Sequence, residues 1–328
     1  MDLFELLKAL LFGVVEGISE WLPISSTGHM MLLNSLLPLD VSASFYDTFL
    51  VVIQLGAIMA VIILFFHKLN PFSPRKNAEQ KRTTWGIWAK VVVGSIPAAV
   101  VGLALDDWME ETIMNNDSIS YLVVSASLIV YGVIFIVLEI RNRRLIQDAA
   151  APRGRHAINP AANERVAPAG RQINIGGYDD NEANDPSNAI ASVRNFDELS
   201  YGKAFCIGIF QSLAIIPGTS RSGSTIIGSL LLGTSRTVAT EFAFFLAIPI
   251  MFGWSLLKFI KHGFDYTQTE WMIFAVGIVT AFFVSIVSIK FLIGYIKKND
   301  FTAFGIYRIV VGILMIVFFG QFVNHIFF

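Results

Sequence analysis

Six long apolar stretches, at roughly 45–66, 85–105, 119–140, 238–258, 271–296 and 304–327, set the pattern of this chain. Each is long enough to cross a hydrocarbon layer of about 30 Å as a helix of about 20 residues. Two further apolar regions, 3–37 and 201–232, are broken midway by a polar segment that contains proline. The first break reads Glu16-Gly-Ile-Ser-Glu20-Trp-Leu-Pro-Ile-Ser-Ser-Thr-Gly-His29, and the second Gln211-Ser-Leu-Ala-Ile-Ile-Pro-Gly-Thr-Ser-Arg-Ser-Gly-Ser-Thr225. Irregular backbone at membrane depth survives only where protein or a polar cavity satisfies its N–H and C=O groups. Both regions are therefore predicted as re-entrant helix–loop–helix hairpins lining a cavity.

A hairpin followed by three spans occurs twice, and an odd number of crossings inverts the second copy relative to the first. The predicted fold class is an all-α integral membrane protein with an inverted-topology repeat, each half a re-entrant hairpin plus three transmembrane helices. A shift of 195 residues supports this by pairing Gly13 with Gly208, Glu16 with Gln211, Ser25 with Ser220 and Gly28 with Gly223. The domains are then residues 1–144, the first repeat, and 201–328, the second. Residues 145–200 between them are rich in Ala, Asn, Asp, Pro and Gly, with Asn159-Pro160, Gly176-Gly177 and Asp185-Pro186 interrupting any periodicity. They are expected to form a solvated, flexible cytoplasmic linker that carries no site.

Composition agrees with this reading: 54% of the residues are hydrophobic and 15% charged, more apolar than a soluble core requires. A net charge of −1 and the lack of a basic arm speak against a nucleic-acid partner. The single cysteine, Cys206, is expected as a small buried apolar residue. The first apolar stretch runs into Glu16 and Glu20 rather than a cleavage site, so the first helix is expected to remain in the mature protein. Lys68, Arg75, Lys76, Lys81 and Arg82 place the loop at 67–84 inside, and Asp106, Asp107, Glu110, Glu111 and Asp117 place that at 106–118 outside. Arg141, Arg143, Arg144, Lys297 and Lys298 also fall inside, whereas Lys258 and Lys261 fall outside, against the rule.

Ionisable groups inside a membrane cost several kcal/mol unless paired or wet, so Glu16, Glu20, His29 and Arg221 call for a functional reading. Glu16 and Glu20 share one helical face, which suits a hard divalent cation such as Mg²⁺ or Ca²⁺; a protonated pair or an ion pair with Arg221 is the alternative. After Pro23, Ser25, Ser26 and Thr27 can cap a new helix, and after Pro217 so can Thr219 and Ser220. Two such helix starts make an anion site from two sides. Gly28, Gly218 and Gly223 permit close backbone approach, and Arg221 supplies a planar fork for phosphate oxygens. His29 alone of the five histidines lies inside an apolar segment, three residues after Ser26, where nucleophile and proton carrier can meet. Arg236, Arg308 and Lys290 lie nearer span ends and are expected to snorkel.

The runs at 16–29 and 217–225 resemble the two signature motifs of the undecaprenyl-pyrophosphate phosphatase (bacitracin-resistance) family, and the resemblance covers nearly all the membrane segments. It implies hydrolysis of a C55 isoprenyl pyrophosphate to the monophosphate, recycling the lipid carrier of cell-wall synthesis and conferring bacitracin resistance. It further implies dependence on a divalent metal held by Glu16 and Glu20, in the bacterial plasma membrane, with the active site open to the outer, periplasmic side. By motif position Glu16, Glu20, Ser26, His29, Ser220 and Arg221 are implied as catalytic. Ser25, Thr27, Ser222 and Thr225 are implied as pyrophosphate neighbours, and Gly28, Gly218, Thr219 and Gly223 join them as substrate-binding candidates from the reading of the two helix starts. The partners are then the isoprenyl pyrophosphate lipid and the membrane, with a homodimer left open. The 145–200 linker is longer than the resemblance leads one to expect.

Two other classes compete. A secondary transporter or lipid flippase also uses inverted repeats with broken helices, but has less use for Glu16, Glu20, Ser26 and His29 together. A phosphatidic-acid-phosphatase type of enzyme would carry a second histidine after Ser220-Arg221, and none follows before His262.

Overall fold

The computed structural model describes residues 3–150 and 185–327. Among these the regular structure is helical: α1 (Leu3–Ser19), α2 (Ser26–Leu36), α3 (Ala43–Leu64), a short α4 (Phe66–Leu69), α5 (Ala78–Met109) and α6 (Asp117–Ala150) precede residue 151. After residue 184 follow α7 (Tyr201–Ser212), α8 (Arg221–Leu231), α9 (Arg236–His262), α10 (Gln268–Ile296) and α11 (Thr302–Phe327). Short polar side chains start the long helices. Ser42, Asn77, Ser200, Ser235 and Thr267 each accept the N–H three residues on, and Asn77 with Gln80 and Thr267 with Glu270 complete capping boxes.

Among the described residues five helical stretches are long and apolar enough to cross a bilayer: Ala43–Leu64, Ala78–Met114, Ser118–Ala149, Arg236–Lys261 and Gln268–Ile296. Within α11, Thr302–Phe318 counts as a shorter apolar stretch. The chain is a multi-pass membrane protein. Its outward faces fit that reading: Leu103, Ile260 and Val287 are each 68% exposed, where a soluble helix would carry charge.

α1 packs along α10, α7 along α5, α6 along α11, and α3 against both α9 and α10. Small residues allow these approaches. Gly208 of α7 abuts the Gly94 carbonyl of α5, and a methyl group on Gly13 would lie 2.7 Å from the Gly277 carbonyl oxygen. Inside, Trp21 between α1 and α2 meets Phe244 of α9 edge to face at 5.2 Å. Lys258 and Lys261 lose their apparent conflict with the charge rule, because they reach Glu110 at 3.3 Å and Asp107 at 2.8 Å on the same end of the molecule.

Three expectations need correction. The linker was expected to be solvated throughout 145–200. Its middle, 151–184, lies outside the described residues, but α6 runs on to Ala150 and residues 185–200 are folded. Asp185-Pro186 is a cap rather than a breaker. The buried Asp185 carboxylate accepts from Ser187 N at 2.9 Å and Thr237 N at 2.9 Å, and Phe196 and Leu199 enter the core. Lys90 then donates to the Phe196 carbonyl at 2.6 Å. Arg236 does not snorkel: it is 4% exposed and forks onto Glu139 at 3.0 and 2.6 Å, a partner on α6 that its own neighbourhood in the chain does not reveal. Cys206 is exposed, since it falls on the outward face of α7. Lys290 is also exposed on α10.

Candidate active site

α1 ends at Ser19, and a tight connection returns the chain to the start of α2; Glu20 N bonds back to Glu16 O at 3.0 Å and Ile24 N to Leu22 O at 2.7 Å. The residue before α2 is Ser25 at φ +74°, and the residue before α8 is Ser220 at φ +70°. Among the described residues these are the only non-glycine positions with positive φ. Such strain persists where the surroundings over-determine it, and it gathers at functional sites. Each helix begins there with N–H groups that its own carbonyls cannot accept. The Ser220 hydroxyl caps α8 by accepting from Gly223 N at 3.1 Å. Ser25 occupies the matching place in α2, but its hydroxyl makes no cap and is buried without a hydrogen-bond partner.

The two breaks meet at Glu20. The Ser26 hydroxyl donates to Glu20 Oε2 at 2.6 Å, and Arg221 from the start of α8 donates to Oε1 at 2.9 Å. The Ser222 hydroxyl donates to the Glu20 carbonyl at 3.1 Å, and Arg221 also reaches the Ala243 carbonyl at 3.2 Å. Of the alternatives left open for the acidic pair, the ion pair to arginine is therefore present at Glu20. Glu16, one turn earlier and 1% exposed, keeps Oε1 buried without a partner.

A cavity of about 720 Å³ is lined by Glu16, Ser26 and Thr27 at its base and by Asp106, Glu110 and Lys258 further out. A second chamber of about 250 Å³ reaches Glu20, Gly218, Ser220 and Arg221. The two share Ser26, Thr27, Gln54 and Asp106, so they are adjoining parts of one space. Ser25, Gly28, Thr219, Ser222, Gly223 and Thr225 stand behind this surface. The Thr225 hydroxyl, for example, bonds the Arg221 carbonyl at 2.7 Å within α8. Gly218 has φ +86°, and a Cβ there would lie 2.6 Å from the Val124 carbonyl oxygen, so the turn before α8 requires glycine.

His29 does not meet Ser26 as the spacing suggested. Its Nδ1 lies 2.7 Å from the Ser25 carbonyl and its Nε2 lies 2.8 Å from the Tyr307 hydroxyl, so both ring nitrogens are engaged. The three-residue spacing puts both side chains on one face, but the ring turns back onto the carbonyl one turn earlier. Arg308 is the second correction at the site. It is fully buried, not snorkelling, and donates to the carbonyls of Pro23 at 3.1 Å, Gly218 at 2.9 Å and Thr219 at 2.9 Å. Gln54, Tyr307 and Arg308 are the residues that sequence reasoning passed over. For Arg308 the signal was present, as an arginine within an apolar run, and its nearness to the start of α11 hid it.

The donor set suits a hard cation. Glu16 and Glu20 supply carboxylate oxygens, one of them unpartnered, although among the described residues no group of three or more His, Cys, Asp or Glu side chains is placed to hold a metal ion. Two carboxylates completed by substrate phosphate is a usual arrangement for Mg²⁺.

Residues 9–314 match the family model described as bacitracin resistance protein BacA. The undecaprenyl-diphosphatase of Lactiplantibacillus plantarum is 48% identical over 97% of this chain and 98% of that protein. That of Enterococcus faecalis is 46% identical over 94% and 95%, and undecaprenyl-diphosphatase 1 of Clostridioides difficile is 46% identical over 97% of each. With a family model matched from the first helix into the last, and relatives this similar along nearly the whole length, the chain belongs to the bacitracin resistance protein BacA family.

Proposed function

We propose that this protein hydrolyses undecaprenyl pyrophosphate to the monophosphate and inorganic phosphate, recycling the lipid carrier of cell-wall synthesis, as the names of its relatives describe for them. One observation carries the assignment of chemistry to residues: Glu20 is held by Ser26 from its own half at 2.6 Å and by Arg221 from the other half at 2.9 Å.

In this reading the Ser26 oxygen attacks the terminal phosphorus, and its proton passes to the Glu20 carboxylate that already accepts its hydrogen bond. The anhydride P–O bond breaks, and the isoprenyl monophosphate leaves as an anion. Water then hydrolyses the phosphoseryl bond, which returns the serine and releases phosphate. Arg221 uses two of its five N–H donors on Glu20 and Ala243 and has three left for phosphoryl oxygens. The free N–H groups at the starts of α2 and α8 face the same anion, and the unpartnered Ser25 hydroxyl offers a further donor from behind. A divalent ion, Mg²⁺ or Ca²⁺, when held by Glu16 and Glu20, would neutralise charge on the phosphate oxygens. Direct attack by His29 is the competing mechanism, and the engagement of both its nitrogens argues against it.

The inverted repeat belongs to the same proposal. It is supported by the shift that pairs Ser25 with Ser220, both at positive φ. It is also supported by the crossed packing in which the first hairpin lies on α10 and the second on α5. Asp106, Glu110 and Lys258 line the outer part of the cavity, so the site opens toward the acidic 106–118 end, which the charge rule puts on the periplasmic side of the plasma membrane.

Release of inorganic phosphate from C55 and C15 pyrophosphates by purified protein in detergent, with and without chelator, tests the proposal. Release without any gradient supports an enzyme. Binding of the lipid without release would favour the transporter or flippase reading that the repeat architecture also allows.

A further inference from the structure

Two adjacent residues of α11, Tyr307 and Arg308, touch both halves of the site, and neither the motifs nor the mechanism uses them. The Ser25 carbonyl can only accept, so His29 Nδ1, 2.7 Å away, carries the ring proton. In the neutral ring Nε2 then holds a lone pair, and the Tyr307 hydroxyl at 2.8 Å donates to it. The two rings lie parallel within 1°, with centroids 5.6 Å apart. The chain Tyr307–His29–Ser25 thus ends on the carbonyl of the residue strained at φ +74°.

Arg308 does the matching work on the other side. Its guanidinium is fully buried, lies 5.5 Å from the Tyr131 ring centre, and directs its two terminal nitrogens at one carbonyl of the first break and two of the second. A peptide whose carbonyl is held in one direction presents the next N–H in the opposite one. Fixing the Thr219 carbonyl therefore fixes the Ser220 N–H at the threshold of α8. A buried cation aimed at backbone carbonyls rather than at a carboxylate is costly, and it makes sense where two loops must be held in register.

We propose that Tyr307 and Arg308 are positioning residues for the phosphatase site: α11 grips both loop tips and holds the two strained helix starts at the separation a pyrophosphate needs. This rests on the function proposed above. Neither residue touches the phosphate; they act through Ser25, His29 and the backbone of Pro23, Gly218 and Thr219.

The test uses the full-length protein in detergent. Tyr307→Phe keeps the ring and removes the donor; kcat should fall about 10- to 100-fold, the scale of a small misplacement in an active site. KM should stay within about twofold and the thermal midpoint unchanged, the split expected of misplacement without lost binding. Wild-type kcat and KM in this variant would overturn the proposal. A second measurement keeps the wild-type site intact: nitrogen NMR of His29, with the other four histidines replaced by glutamine. A neutral ring protonated on Nδ1 supports the chain of bonds, and one protonated on Nε2 overturns it. Ser26→Ala and Arg221→Ala serve as controls for the site itself. Inactive controls beside a fully active Tyr307→Phe sink the positioning role alone, whereas an active Arg221→Ala sinks the site reading.

Discussion

Glu20 and Arg221 lie 201 residues apart in the chain and close an ion pair of 2.9 Å, so the site is assembled only when both halves have folded together. Arg221 holds Glu20 through one terminal nitrogen and the Ala243 carbonyl through the other. A lysine ammonium is a point charge and cannot serve both while also meeting a phosphoryl group. Arg221→Lys should therefore fail nearly as badly as Arg221→Ala, with turnover reduced about 10²- to 10³-fold, the cost of removing one preorganised transition-state donor. Steady-state phosphate release at saturating substrate checks this.

Gly218→Ala should abolish activity although it adds a single methyl group. The position has φ +86°, and the new carbon would meet the Val124 carbonyl oxygen at 2.6 Å, so the loop before α8 must move and take Arg221 with it. Gly202, which has nothing within 4 Å of its Cβ position, is the matched control, and Gly202→Ala should leave turnover near normal.

The long connection should divide into two parts. Replacing residues 151–184 with a short flexible connector is expected to leave turnover within a few-fold, because no catalytic group is drawn from them. Asp185→Ala should instead destabilise the protein by about 1–3 kcal/mol for each buried donor left unpaired, since the carboxylate serves the N–H groups of Ser187 and Thr237. Thermal unfolding in detergent distinguishes the two outcomes.

Glu139 and Arg236 make a buried pair with two hydrogen bonds of 3.0 and 2.6 Å. Replacing Arg236 alone by Met should cost about 3–5 kcal/mol, because it leaves a buried charge unpaired, while the double replacement Glu139→Leu with Arg236→Met should recover most of that loss. Denaturation midpoints of the four proteins complete the cycle.

What could be read from the sequence followed from local physics. Twenty-residue apolar runs and proline-interrupted segments announce helices and breaks without reference to the rest of the chain. For that reason helices α1 and α2 fall within 3–37 and α7 and α8 within 201–232, each pair parted at its polar break, and Glu20, Ser26 and Arg221 fall in one place. What escaped depends on partners distant in sequence. Arg308 and Arg236 look like span-end arginines until the Pro23, Gly218 and Thr219 carbonyls and Glu139 are brought to them. His29 looked like the partner of Ser26 because helical spacing says which residues share a face, and not which way a ring turns. Tyr307, supplied from 278 residues away, decides that.

The central claim is that Ser26, hydrogen-bonded to Glu20, accepts the phosphoryl group, and trapping that group on the protein tests it most directly. Substrate labelled in its terminal phosphate would be mixed briefly with the enzyme, and the reaction stopped by denaturation in acid or in base. The account predicts a label that survives acid and is lost in base, as a phosphoserine does, and that is missing from Ser26→Ala. A label that is lost in acid, persists in base and still forms in Ser26→Ala would contradict it and assign the attack to His29.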